Sequence, residues 1–307
     1  ASNLPEKGTV HTIEQDHVNP GLLFAGTEFG AFFSIDGGKI WTKLGSGLPT
    51  ISVRDMVIQE RENDLVIATF GRGFYILDDY TALRELNPEL LEKEAYIFPI
   101  KDALMYIRTR GHYGQGSMYY TSDNPPFGAT FTYYIKEVPK TLKQERKKKE
   151  KELAKEKKPI PIPSMEELRA EEDEIAPYLI FKIYDEQGNL IKRMTKRPSK
   201  GIKRTTWNLR YPGVYPIRLN NEEFDPMNNG GDIHYALPGT YKVGLDIYHR
   251  GEITTLVEPV EFEAVVLNNA TLPVEDRQAM VAFEKKMAKL AQTIYGADKV
   301  AEELKEQ

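Results

Sequence analysis

The sequence predicts a mainly β protein: a partial β-propeller of two blades, then a β-sandwich carrying a charged helical insertion, then a C-terminal helix. Three observations carry this. Leu23–Asp36 recurs imperfectly as Leu65–Asp78 at an offset of 42: Leu23 to Leu65, Thr27 to Thr69, Phe32 to Phe74 and Asp36 to Asp78. A period of about 40–45 residues with several short strands per unit is what four-stranded propeller blades produce. From residue 125 the strands continue without that period, and two stretches outside them read as helices. Each blade buries its faces against neighbours, so two blades do not close a ring. The expectation is a tail of a longer protein, lacking N-terminal blades.

Strands at 9–15, 22–27, 31–35 and 40–44 make the first blade. Upstream of the repeat, Val10-His11-Thr12-Ile13 faces Val53-Arg54-Asp55-Met56 after a one-residue gap. Ser34, Asp36, Gly38 and Trp41 fit Ser-x-Asp-x-Gly-x-x-Trp, the Asp-box. Its physics is local: Asp36 accepts backbone N–H groups across a turn, the glycines supply positive φ, and Trp41 packs on the blade. Strands at 53–59, 64–70 and 73–78 begin the second blade, where the box has decayed to Leu77-Asp78-Asp79-Tyr80. A short helical excursion over 81–93 follows, and 95–100 returns as the last strand of that blade, closing a domain of residues 1–107.

Residues 108–124 read as a linker. The sandwich spans 125–268, with strands at 130–135, 178–184, 190–193, 205–209, 237–245 and 257–266, and Asp185–Asn189 as a hairpin turn. An insertion over 140–175 interrupts it. Thr141 and Gln144 are placed for a capping box, Glu145 and Lys149 for helix pairing, and Ser164 opens a second acidic stretch after Pro159–Pro163. Lys and Glu dominate it, so it is expected to be solvated and dispensable for folding. Residues 269–307 form an amphipathic helix: Thr271 caps it, Pro273 suits its first turn, and Glu275 and Asp276 complement its dipole. Met280, Phe283, Met287, Leu290 and Ile294 step by three and four, a coiled-coil-like seam. That seam either docks on the sandwich or pairs with a following helix connected near Gly296; the regular spacing favours the helix.

The 307 residues suit two domains, each able to bury a core. A net charge of −5 with interleaved acids and bases argues against a nucleic-acid partner. Without cysteine, disulfides, thiolate zinc sites and thiol catalysis are excluded. No apolar run reaches the length of a membrane span.

Segments 54–79 (RDMVIQERENDLVIATFGRGFYILDD), 124–137 (NPPFGATFTYYIKE), 183–194 (IYDEQGNLIKRM), 205–211 (TTWNLRY) and 237–245 (LPGTYKVGL) occur in this order. Together they resemble the C-terminal portion of Bacteroidetes-type BNR/Asp-box repeat proteins, sortilin-like β-propellers often labelled glycosyl hydrolases. The resemblance implies propeller blades, an immunoglobulin-like sandwich, helices, and export to the periplasm, outer surface or medium. The hydrolase label rests on Asp-boxes, which are turn elements, and is not evidence of catalysis. Members often carry His before the Gly-Arg-Gly turn; here the position is Phe70.

Hairpin turns alternate between the two ends of a blade. The turns Glu28-Phe29-Gly30 and Phe70-Gly71-Arg72 therefore lie opposite the Asp-box end, with His11, Arg54 and Asp55 nearby. Arg54, Arg72 and His11 are the candidate binding residues. Glu28 and Asp55 are the candidate carboxylates for general acid–base work; the alternative is an ordinary rim of ion pairs. A sialidase-type site needs three arginines, a Tyr/Glu pair and an Asp acid, and two blades supply only Arg54 and Arg72. His112, among Arg108, Arg110 and Tyr113, is a loop candidate, while His234 and His249 lack metal spacing. Asp225, Asn228, Asn229 and Asp232 are oxygen-rich enough for Ca²⁺ but lack a regular ligand spacing, so a structural turn is preferred and neither metal nor cofactor is expected. Gly71-Arg72-Gly73 joins two strands and is no phosphate loop. The expected function is binding of a protein, peptide or glycan; the alternative is a glycoside hydrolase completed by missing blades.

Overall fold

The computed structural model describes residues 3–45, 47–108, 122–213, 224–267 and 276–306, and the chain divides into two units, Ala1–Lys93 and Glu94–Gln307. In the first unit β1 (Val10–Gln15), β2 (Leu23–Thr27), β3 (Gly30–Ser34) and β4 (Thr42–Lys43) form an antiparallel meander in chain order. A second, three-stranded meander follows: β5 (Val53–Gln59), β6 (Asp64–Thr69) and β7 (Phe74–Leu77). Alternation sends Phe24 of the first sheet and Met56, Leu65 and Ile67 of the second into one core with Leu22, Ala31, Val53 and Tyr80. Burying each large side chain contributes about 1.5–3 kcal/mol.

The two meanders share backbone devices. Thr27 Oγ1 donates to the Gly30 carbonyl at 3.0 Å, and Thr69 Oγ1 to that of Gly73 at 2.7 Å. The N–H of Glu28 bonds to the Thr9 carbonyl (3.1 Å), and that of Phe70 to Ser52 (2.9 Å). Register shifts fall between Val10 and Thr12 in β1 and between Val53 and Asp55 in β5. One difference corrects the expected alignment. The first turn has two residues between Thr27 and Gly30; the second has three between Thr69 and Gly73. The offset therefore grows from 42 to 43: Ala25 faces Phe32, whereas Ile67 faces Tyr75. Tyr75, not Phe74, is the counterpart of Phe32, and Asp79, not Asp78, that of Asp36. A one-residue change reverses every side chain beyond it.

Among the described residues the second meander has no fourth strand after β7. Asp79 caps a 3₁₀ turn, Tyr80–Arg84, and Asn87 caps α1 (Pro88–Glu92). The 3₁₀ turn is held by Asp16, which follows β1. Its buried carboxylate accepts Tyr80 OH (2.6 Å) and a two-pronged Arg84 guanidinium (2.9 and 2.7 Å), and Arg84 also reaches Asn63 Oδ1 (2.7 Å). Burial opposes the charge on Asp16, but the bonds from Arg84, Tyr80 and the Asn19 N–H outweigh it and hold the carboxyl at about 2.

The second unit corrects the domain boundary. β8 (Ala95–Ile97), expected to close the second blade, pairs antiparallel with β10 (Ala129–Ile135), so the first unit ends at Lys93 rather than near 107. β8, β10 and β13 (Gly201–Trp207) form one sheet. The other contains β9 (Ala103–Met105), β11 (Tyr178–Tyr184), β12 (Leu190–Lys196), β16 (Gly239–His249) and β17 (Glu252–Val266), in the order β12-β11-β16-β17-β9. The two sheets share a core in which Phe131 meets Phe262 (5.3 Å between ring centres) and Tyr133 meets Phe181 (5.1 Å). Gly128 has φ +126°, and a Cβ there would lie 1.9 Å from the Trp207 carbonyl, so only glycine admits this approach. β14 (Arg210–Pro212) and β15 (Asp232–Tyr235) make a separate pair.

In the insertion, α2 (Leu142–Lys155) and α3 (Met165–Asp173) each start in a capping box, at Thr141/Gln144 and Ser164/Glu167, and bury no residue. Arg146 joins them through Glu171 (2.5 and 2.8 Å) and also bonds Glu150 (2.6 Å). Glu145, spaced for Lys149, pairs with Arg250 instead, at 2.9 Å. α4 (Arg277–Glu306) runs unbroken through Gly296. The expected cap and first-turn residues Thr271, Pro273 and Glu275 lie outside the described residues; Asp276 accepts the Ala279 N–H at 2.8 Å. The docked residue is Val281, which is buried, while Lys285 lies 4.9 Å over Tyr211. The Met280–Ile294 seam is exposed.

Candidate functional site

The register shift in each first strand is a bulge, and a bulge re-aims the extra side chain. His11 occupies the bulge in β1 and Arg54 its counterpart in β5. The two meet, Arg54 Nη1 lying 3.5 Å from His11 Nε2. Arg54 also lies 5.0 Å over the Phe70 ring, a cation–π contact at the tip of the second turn. Phe70 is 67% exposed and Arg72 beside it is exposed. The structure thus brings together Arg54, His11 and Phe70, with Arg72 in the same turn as Phe70. The first turn is closed over: Gly8 (φ +108°) approaches Phe29 so closely that a Cβ would meet its ring at 2.4 Å, and Glu28 Oε2 accepts the Thr9 N–H at 3.2 Å.

Both candidate carboxylates make local bonds. Glu28 is tied to Thr9, and Asp55 Oδ1 accepts the Met56 N–H (3.0 Å) and the Thr12 hydroxyl (3.5 Å). The group that responds to the Asp55 charge is Glu14 on β1. Burial raises the Glu14 pKa above the usual carboxylate range, and the Asp55 charge raises it further. Sequence reasoning missed Glu14, although a signal existed. Glu14, Phe24 and Phe33 lie side by side in register, and the equivalent row in the second meander is Val57, Val66 and Ile76. A carboxylate stands where the repeat supplies valine.

At the opposite end, the Ser34–Trp41 turn is closed by side chains. Asp36 Oδ1 accepts the N–H groups of Lys39 and Ile40 (both 3.0 Å) and the Ser34 hydroxyl (2.7 Å); Ser34 Oγ accepts the Gly38 N–H (2.9 Å). Trp41 Nε1 donates to the Gly38 carbonyl at 3.0 Å. The bonds from Ile40 and Ser34 lower the Asp36 pKa.

In the second unit, the side-chain oxygens of the 225–232 loop are engaged by protein donors. Asp225 accepts Met227 N–H (2.8 Å), Asn228 accepts Gly230 N–H (3.0 Å), Asn229 accepts Thr195 N–H (2.6 Å), and Asp232 binds Lys192 and Asn208. No group of three His, Cys, Asp or Glu side chains converges among the described residues. His234 packs on Tyr211 (4.8 Å), and burial lowers its pKa. His112, Arg110 and Tyr113 lie outside the described residues. Arg108 sits 5.1 Å over Phe127, and Arg210 4.0 Å over Tyr235, its partner across the β14–β15 pair.

No family model matches the chain, and no curated protein matches it. Among solved structures it is similar to the extracellular domain of a B. thetaiotaomicron protein described as a one-component system, at 11% identity and a TM-score of 0.19, over 85% of this chain and 25% of that one. It is also similar to the extracellular domain of a hybrid two-component system of B. thetaiotaomicron, at 9% identity and a TM-score of 0.22, over 86% and 26%. The chain spans about a quarter of the length of these structures. At such TM-scores the likeness identifies neither a fold nor a role. No helix among the described residues is long and apolar enough to cross a membrane.

Proposed function

We propose that the first unit belongs to an Asp-box β-propeller of an exported protein and binds a protein, peptide or glycan at the end bearing His11, Arg54, Phe70 and Arg72. The second unit is then an immunoglobulin-like accessory sandwich. Export and the immunoglobulin-like assignment rest on the sequence resemblance. The observation that carries the binding role is the repeated bulge, which aims His11 and Arg54 at one another beside an exposed aromatic ring. A guanidinium stacked on a ring keeps its in-plane N–H groups for a carbonyl, carboxylate or hydroxyl, while the ring accepts an apolar face. Glycan and peptide arrays probed with the wild type, Arg54→Ala and Phe70→Ala test it. At least a tenfold loss of affinity in both variants, with unchanged circular dichroism, is expected; ligands held equally by all three place binding elsewhere.

A second reading is a glycoside hydrolase completed by residues outside this chain. It is favoured by Glu14, a carboxylate with a raised pKa beside a second carboxylate, Asp55. Hydrolysis needs two such groups about 5–10 Å apart across the scissile bond. A glycosidase substrate panel decides: turnover abolished by Glu14→Gln and by Asp55→Asn supports the enzyme, and turnover untouched by both removes this pair from the chemistry.

A further inference from the structure

We propose that the second unit carries a binding site of its own, for an acidic sugar, where Tyr106, Arg108, Phe127, Arg210 and Tyr235 converge. Three separate parts of the chain supply it. Tyr106 and Arg108 follow β9, Phe127 precedes β10, and Arg210 and Tyr235 face each other across β14 and β15. The rings form a ridge: Tyr106 meets Phe127 edge-on at 5.2 Å between centres, and Phe127 meets Tyr235 at 5.8 Å. A guanidinium lies over each of the latter two rings, Arg108 on Phe127 and Arg210 on Tyr235. Phe127 is half-buried at the centre, while Tyr106, Arg108 and Tyr235 are exposed around it.

Two features define the ligand. The first is charge. Two guanidinium groups stand at one ring cluster, and neither has a carboxylate partner among the described residues. Asp232 feels the Arg210 charge, but its oxygens bind Lys192 and Asn208 instead. What both arginines act on is the Tyr235 hydroxyl, whose pKa they lower, Arg210 first and then Arg108. A neutral hydroxyl leaves two cations uncompensated, whereas a carboxylate accepts the paired N–H groups of a guanidinium. Arg210 is already fixed, by the ring beneath it and by the Ile233 carbonyl (2.9 Å), so little freedom is lost on binding. The second feature is shape. The walls of the ridge are aromatic, while its tips are two hydroxyls and two guanidinium groups. A matching ligand is apolar on one face, polar around its rim and negatively charged. A pyranose ring bearing a carboxylate has that outline, and an aliphatic side chain does not.

Titration calorimetry of the full chain with oligogalacturonate and oligomannuronate, each also in its methyl-esterified form, separates the charge from the ring. At least one acid form should bind, tenfold or more tighter than its ester, and more weakly as salt is raised. Arg108→Gln and Tyr106→Ala change exposed side chains, so circular dichroism should be unchanged while each weakens binding at least tenfold. Arg54→Ala, in the first unit, should leave this binding as it is, which keeps the test separate from the site proposed there. Absence of binding to both acids, equal binding of acid and ester, or indifference to Arg108→Gln and Tyr106→Ala overturns the proposal. So does a loss of binding in Arg54→Ala, which would move the sugar to the first unit. Competition by polyglutamate as strong as by the sugar acid overturns it too, because charge alone then accounts for the affinity.

Discussion

The two meanders of the first unit use the same turn and bulge devices and end in different circumstances. In the first, Phe24 and Phe33 of the row Glu14–Phe24–Phe33 pack with Val53, Met56, Leu65 and Ile67, and the Ser34–Trp41 turn leads into a fourth strand. In the second, the equivalent row Val57–Val66–Ile76 has bare ends, Val57 and Ile76 being more than half exposed, and Phe74 beside it is 75% exposed. In place of a fourth strand come a 3₁₀ turn pinned to Asp16 and then a short helix. Local hydrogen bonding repeats because it depends on residues a few positions apart. Burial of a sheet face does not repeat, because it depends on what stands next to the sheet. The bare apolar row is the face on which a third repeat would pack under the proposed propeller reading.

The largest effect is expected at the pin that replaces the strand. Arg84→Met leaves the Asp16 carboxylate buried without its cation, and the first unit should lose about 3–5 kcal/mol, read as a fall in its denaturant midpoint. An effect no larger than that of a surface substitution would mean that Tyr80 and the backbone suffice. The two rows can be compared directly. Phe24→Ala, fully buried, should cost about 3–5 kcal/mol, and Ile76→Ala no more than about 0.5 kcal/mol. Similar costs for both would show that the second row is also covered in solution.

The pin is also a source of acid sensitivity. Asp16 titrates lower in the folded chain, at about 2, than in the unfolded one, near the usual carboxylate value of about 3.9. Its contribution, about 2.5 kcal/mol, is therefore fully present above pH ~4 and is lost as pH falls through about 2. Urea titrations at pH 6 and pH 2 should show this loss in the wild type and a smaller one in Asp16→Asn. The smallest effect among the lost polar contacts belongs to the turn present in one repeat alone. Ser34→Ala removes the acceptor of the Gly38 N–H and should cost about 1 kcal/mol, whereas Leu77→Ala, its counterpart, has no such bond to lose.

Much of this was legible in the chain. The repeat, the capping boxes, the Ser34–Trp41 turn and the alternation of most strands all showed, because each is written in residues that touch their own neighbours. The candidate end of the first unit was legible through the turn order, which grouped His11, Arg54 and Arg72. Of the carboxylates, Glu28 and Asp55 were named from the turn order, while Glu14 showed only as an acid at a position where the second repeat has Val57. The pairing of β8 was hidden, since Ala95-Tyr96-Ile97 suits the edge of either sheet.

By itself the sequence determined a mainly β chain of repeated meanders, two capped helices and a long amphipathic one, since side-chain-to-backbone bonds within four residues and the periods of 2 and 3.6 need no distant partner. Only the tertiary structure decided where the first unit ends, which residues the repeat equates after its lengthened turn, which carboxyl the Asp55 charge acts on, and which face of α4 is docked. Each of those depends on the count of residues in a turn or on an element far away in the chain. Strand pairing, burial and electrostatic coupling act across space, and an alternating apolar strand reads the same whichever sheet it joins.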